Sequence, residues 1–222
     1  FCLRQMDTNR SNTFFKGVAM RSVDAAPAAD SLPDKATAAV LRRRFFRQLF
    51  PMIGFLAAVY EIYTRQVSSL DVTLFVVMFI ITMFGFEAGF HRHFSHEAFK
   101  ATPATREFLG IAGTMFGAGS VLWWSTMHRV HHLFSDVAGD PHSPLLCGSS
   151  WSQRVRGWWH AYSGFLASPL EFDTGKYSAD LLQDETIMRL SSAALFWYCV
   201  GIVLPGVIAF AITLSWREFA SG

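Results

Sequence analysis

Cysteine is scarce in this chain: Cys2, Cys147 and Cys199 stand far apart and form no CxxC pair. That spacing argues against a disulfide scaffold or a zinc ribbon and fits a reducing, cytosol-facing setting. Charge of one sign is lacking too, with a formal net charge of +2. A chain so nearly balanced is not built to hold a polyanion, and nucleic acid is not an expected partner. No early apolar run has the form of a cleaved signal, and Asp7, Asp24, Asp30 and Asp34 speak against an organellar transit peptide. The chain opens on Phe1 rather than Met, so its reading frame is expected to begin upstream.

Apolar and aromatic residues, by contrast, are abundant. Of 222 residues 51% are hydrophobic, with 22 Phe and 7 Trp, a composition that suits a bilayer better than water. Residues 1–44 mix Ala, Ser, Asp, Asn and Pro without apolar periodicity and read as a mobile tail. One membrane domain is expected over 45–222. Apolar stretches at 45–63 and 70–90 are each near the roughly 20 residues of a bilayer-spanning helix and read as a hairpin. Arg42, Arg43, Arg44 and Arg47 precede the first, whereas the loop between the two carries only Arg65. The positive-inside rule then places the N-terminus in the cytosol. A stretch at 108–127 holds Gly110, Gly113, Gly117 and Gly119, and a last one at 193–216 is interrupted by Gly201, Pro205 and Gly206. The polar region 140–190 is expected as a water-facing cap. The fold class is all-α, a polytopic membrane protein with a cytosolic cap.

All eight histidines fall between His91 and His160, and most of them sit in two clusters at the ends of apolar stretches. The first reads His91-Arg92-His93-Phe94-Ser95-His96 and the second His128-Arg129-Val130-His131-His132. Neutral imidazole is a common ligand for iron, copper and zinc. On a helix His128, His131 and His132 share one side. His91 and His96 lie about 140° apart on an ideal α-helix, which suits a helix end or two metals. Five imidazoles beside a hydrocarbon boundary are costly to desolvate unless they bind a cation. One metal centre needs both clusters on one side of the membrane, so 108–127 is expected not to cross but to form a re-entrant or in-plane hairpin.

The order HxxxxH then HxxHH, with Gly89-Phe90 before the first cluster, Trp123-Trp124-Ser125 before the second, and then Asp140-Pro141-His142-Ser143-Pro144 and Arg156-Gly157-Trp158-Trp159-His160, resembles the acyl-CoA desaturase family, of which stearoyl-CoA desaturase is the familiar member. The similarity covers about residues 85–170. The resemblance implies a non-haem di-iron centre, with ligand roles for His91, His96, His128, His131 and His132 and with His93, His142 and His160 outside the ligand set. It further implies an O2-dependent oxidoreductase that puts a double bond into a fatty acyl-CoA or acyl-lipid, with electrons from a donor such as cytochrome b5 or ferredoxin. Its setting would be a lipid membrane, the endoplasmic reticulum in a eukaryote, with the histidine boxes facing the cytosol. Arg129, Asp136 and Asp140 are candidates to orient the ligands from behind, and Trp123 and Trp124 to line a substrate channel. No histidine follows His160, so the family's third box has no counterpart here. The chain is therefore expected to be a C-terminally truncated fragment, inactive alone.

Three other readings compete, one of them a degenerate family member retained as a binding partner. A histidine-box hydroxylase or acyl-lipid desaturase would share the motifs. A non-catalytic metal-binding or transport protein would place polar residues within its spans, where Glu61 and Glu87 are almost the only ones.

Overall fold

The computed structural model of the chain describes residues 49, 52–64, 67–137, 139–167 and 172–216, and among them no strand occurs. The expected tail, 1–44, lies outside the described residues. The chain divides into two compact units, one holding 52–129 and 172–222, the other holding 130–171.

In the first unit, helix α1 (Met52–Thr64) is apolar but, as described, shorter than a span. The expected first span begins at 45, and residues 45–48, 50 and 51 are outside the described set. Helix α2 (Ser69–Phe84) starts from a capping box in which Ser68 accepts from the Asp71 amide and Asp71 reciprocates, satisfying amides that the first turn leaves open. It continues without a break into a π-helix, Gly85–Ser95. Together they run 27 residues, Ser69–Ser95, longer than the expected 70–90. Phe75 is 70% exposed and stacks on Phe79 at 6.2 Å, an aromatic surface suited to lipid tails.

The glycine-bearing stretch is broken into two helices, α3 (Pro103–Met115) and α4 (Val121–Leu133). Thr102 caps α3, with Pro at its start. Gly117, at φ 89°, turns the chain between them in a conformation that a side chain would strain. Each helix has 13 residues, about 20 Å at 1.5 Å per residue, too short to cross a bilayer of about 30 Å. Their separation accords with a hairpin that does not span. The π segment lies against α3 so closely that a Cβ on Gly85 would overlap the backbone of Ala112 and Gly113.

Three short helices follow, α6 (Thr174–Tyr177), α7 (Ala179–Leu182) and α8 (Glu185–Ser192). Helix α9 (Ala194–Thr213) has 20 residues, the second helix apolar and long enough to cross a membrane. Its Pro205, Gly206 and Ala209 are buried, so the expected interruption packs on protein, where backbone groups freed by proline find partners. Phe90, Phe94, Leu109, Val121, Met127, Ile187 and Leu190 form the core of this unit.

The second unit carries helix α5 (Trp151–Tyr162), opened by a Ser150–Gln153 capping box, after a turn-rich segment from 134 to 150. Cys199 is free and exposed.

Candidate metal centre

The π winding decides how the first cluster is presented. A π-helix bonds residue i to i+5 rather than i+4 and occurs mostly as short bulges at functional sites; here His96 N–H donates to His91 O at 3.3 Å and Ser95 Oγ donates to Phe90 O at 2.7 Å. Residues five apart are thereby stacked. The His91 and His96 ring centroids are 4.9 Å apart, not on divergent faces as ideal α-helical winding predicts.

His128 projects from α4 toward the same pair. Its ring lies 4.7 Å from that of His91 and 5.0 Å from that of His96. The Nε2 atoms of His96 and His128 face each other at 3.0 Å. Ligand nitrogens of His91, His96 and His128 all lie within 4.8 Å of one another. Two imidazole nitrogens at about 2.1 Å from one first-row ion sit about 3 Å apart when adjacent, so the donor set fits a bound metal cation in both chemistry and spacing. His91 Nδ1–H donates to Glu87 Oε2 at 3.1 Å, which leaves Nε2 to carry the lone pair. Trp124 is buried and lies flat on His128, at 4.6 Å and 14°. Its other neighbours are Phe86 at 4.9 Å and Phe90 at 6.0 Å. Trp123 is half-buried beside it.

Arg129 reaches back to the end of the π segment. It donates to Phe94 O at 3.0 Å and Ser95 O at 3.1 Å, the carbonyls just before His96, and forks onto Asp180 at 2.6 and 2.9 Å. The hydrogen bond from Arg129 holds the Asp180 carboxyl below its ordinary range. Its contacts are with backbone and counter-ion, so it braces the first cluster through the main chain.

His93 faces elsewhere. Its Nδ1–H donates to Phe99 O at 3.0 Å and its Nε2 accepts from Arg106 Nε at 3.2 Å, while Arg106 also pairs with Asp184. Both ring nitrogens are engaged in a strut. Burial raises the Asp184 carboxyl, but the Arg106 bond and two amides outweigh it and hold it below its ordinary range.

In the second unit, Asp140 is 1% exposed and organises the residues around it. Its Oδ1 accepts His131 Nδ1–H at 2.9 Å and the His142 amide at 3.0 Å; its Oδ2 accepts the Asp136 amide at 2.8 Å. Asp136 adopts φ 59°, a left-handed conformation that Asp tolerates better than most, and accepts from Ser143 Oγ at 2.6 Å. A carboxylate can only accept, so His131 carries its proton on Nδ1 and presents Nε2. His142 stacks on His131 at 4.1 Å, and the two with Asp140 form a second group with metal-ligand spacing. The resemblance places His142 outside the ligand set, and its geometry here makes it a candidate beside His131. Burial, then the neighbouring His131, pushes the His142 imidazole below its ordinary range. Burial does the same to His160, whose Nε2–H donates to Pro141 O at 3.1 Å. His132 follows His128 by one turn of α4.

Three relatives show what the chain is similar to. It is 34% identical to the hex-5-enoyl-[acyl-carrier protein] acetylenase of Moorena producens over 176 residues, 78% of this chain and 55% of that protein. It is 28% identical to the sn-1 stearoyl-lipid 9-desaturase of Synechocystis over 170 residues, 76% and 48% of the two chains. It is 30% identical to a probable acyl-CoA desaturase of Schizosaccharomyces pombe over 116 residues, 52% and 21%. The chain spans about half the length of the first two relatives. The fatty acid desaturase family matches over residues 70–221, a range that takes in the π segment, α4 and the Asp140 turn, and the chain belongs to that family.

Proposed function

We propose that this chain forms the membrane-embedded, two-box part of a fatty acyl desaturase: an O2-dependent oxidoreductase with two non-haem irons, supplied with electrons by a donor such as cytochrome b5 or ferredoxin. The observation that carries the reading is the convergence of His91, His96 and His128 from a π segment and α4 at the end of a spanning helix. His131 and His132 complete the ligand set offered by these two boxes, His132 because one turn of helix separates it from His128. Bound iron would supply the O2-dependent removal of hydrogen from an unactivated methylene.

The protein's part is to hold ligands and substrate. Glu87 and Asp140 each accept a hydrogen bond from the Nδ1–H of a histidine and turn its other nitrogen outward, which also raises its basicity. Trp124 fixes the plane of His128, and Trp123 and Trp124 are assigned here to the border of an acyl channel. The three relatives are named for acyl groups on a carrier protein, a lipid and coenzyme A; what they share is the acyl chain, and that is the substrate class assigned here. The boxes face the cytosol, at the endoplasmic reticulum in a eukaryote.

Two measurements test this. The purified chain in lipid nanodiscs, titrated with Fe(II) or spectroscopically visible Co(II), should bind metal. Asp140→Asn should weaken that binding about 10–100-fold, and His128→Ala more. Unchanged binding in His128→Ala would sink the site. Expressing the surrounding reading frame in a desaturase-deficient host and analysing fatty acids then separates outcomes: a new double bond supports the reading, and a hydroxylated product moves it to a hydroxylase.

A further inference from the structure

Helix α5 stands out within the second unit because its largest apolar side chains face away from protein. Trp151 is 81% exposed, Trp158 61% and Tyr162 71%, and Val155 and Trp159 are exposed as well. At 100° per residue these five positions occupy an arc of about 100°. Arg154 falls about 40° beyond one edge of that arc and Arg156 about 60° beyond the other. Both arginines are exposed, and Arg154 Nε donates to Ser149 O at 3.1 Å.

The opposite face is committed to the protein. Gly157 is buried, and a Cβ there would overlap the Pro144 carbonyl. His160 is tied to Pro141 O, and the Gln153 side chain accepts from the Ser150 amide at 3.0 Å. The aromatic stripe is therefore not a buried face left open by a frayed helix. The helix is capped at its start, docked on one side, and bare on the other. Trp158 and Tyr162 lie parallel at 5.7 Å and 2°, an ordered surface rather than scattered exposure.

Tryptophan and tyrosine with flanking arginine is the composition that settles at the headgroup level of a bilayer, with rings at the acyl boundary and guanidinium groups on phosphates. A water-facing helix would lose free energy by exposing such a stripe. The same chain carries two helices long and apolar enough to cross a membrane, so a bilayer is at hand. We infer that α5 is an in-plane interfacial helix: Trp151, Val155, Trp158, Trp159 and Tyr162 rest in the headgroup region, and Arg154 and Arg156 pair with lipid phosphates. The cap over this part of the chain is then not wholly in water, as its polar composition suggested.

The test places a nitroxide label at Val155→Cys in the full chain, in a Cys2→Ser, Cys147→Ser, Cys199→Ser background, reconstituted in nanodiscs. A label at Val207→Cys, on the exposed surface of α9, serves as the reference for depth in hydrocarbon. The expected result is that the Val155 label is reached better by oxygen than by a water-soluble nickel complex, at a depth shallower than Val207. Arg154→Gln with Arg156→Gln should abolish the added burial that anionic lipid produces over zwitterionic lipid. A Val155 label fully open to the nickel complex overturns the proposal, as does one shielded from both probes, which would mean a protein partner or a second copy covers the stripe. Because the readout is label depth in the intact chain, it stands or falls independently of metal binding.

Discussion

Asp180 lies 48 residues or more from either histidine cluster in sequence, yet its carboxylate is the nearer counter-ion of the guanidinium that holds the end of the first. Removing it leaves Arg129, whose side chain is mostly buried at 19% exposure, with only the exposed Glu97 carboxylate at 3.5 Å as a charged partner. The Asp180 carboxyl is depressed by the Arg129 hydrogen bond. A carboxyl depressed in the folded state contributes stability that is present above the unfolded carboxylate range near 4 and is lost as pH falls through the lowered native value. Asp180→Asn should therefore lower stability by about 1 kcal/mol at neutral pH, since the pair is partly solvated and screened. It should also flatten the acid limb of the stability profile, measured by thermal melts in detergent between neutral and acid pH. Equal acid sensitivity in the variant and the parent would show that the Arg129–Asp180 pair does not brace the site. Other residue roles were partly legible in sequence. Asp140 and Arg129 stood out because they sit in or beside the boxes; Asp180 did not, because nothing in a sequence says which distant carboxylate an arginine will find. His93 sits between two candidate ligands and differs from them only by its partners Phe99 and Arg106, which belong to the tertiary fold.

At the scale of elements, the helices themselves were largely readable and their winding was not. The second and last spans were expected at 70–90 and 193–216 and appear as Ser69–Ser95 and Ala194–Thr213. The break in the glycine-rich stretch was visible as Gly110, Gly113, Gly117 and Gly119. The change from α to π winding at Gly85 was not visible, because periodicity arguments assume 100° per residue throughout. It arises where glycines let α3 come into backbone contact, and it converts an unfavourable five-residue spacing into a facing pair. Gly85→Ala tests that account. Its methyl would meet Gly113 N and Ala112 backbone atoms, which cannot rotate away as a side-chain tip can. We expect a loss of about 1–3 kcal/mol, the range for overpacked interiors, seen as a lower melting temperature, together with weakened Co(II) binding as His91 and His96 move off α3. Gly54→Ala, where an added methyl meets nothing within 4 Å, is the matched control. A Gly85 variant with parental stability and metal affinity would separate the π segment from the close approach.

For the whole molecule the decisive question is which side of the membrane each histidine box occupies, and the chain between them supplies the answer. From His96 to His132 every residue is described, and the helices found there are α3 and α4, each of 13 residues. A helix of that length covers about 20 Å against a hydrocarbon core of about 30 Å, and the residues joining them, 116–120, turn rather than extend. No crossing is available between the two boxes. The sequence argued for one side from chemistry, on the ground that one metal centre needs its ligands together, and helix length argues for it on a separate premise, so the expectation can be put to a direct test. Cysteines placed at Glu97 and at Leu133, both exposed, in a chain whose native cysteines are replaced by serine, should react with a membrane-impermeant maleimide from the same side of sealed vesicles. Reaction from opposite sides would require one of these short helices to span, and would exclude a metal site built jointly from the two boxes.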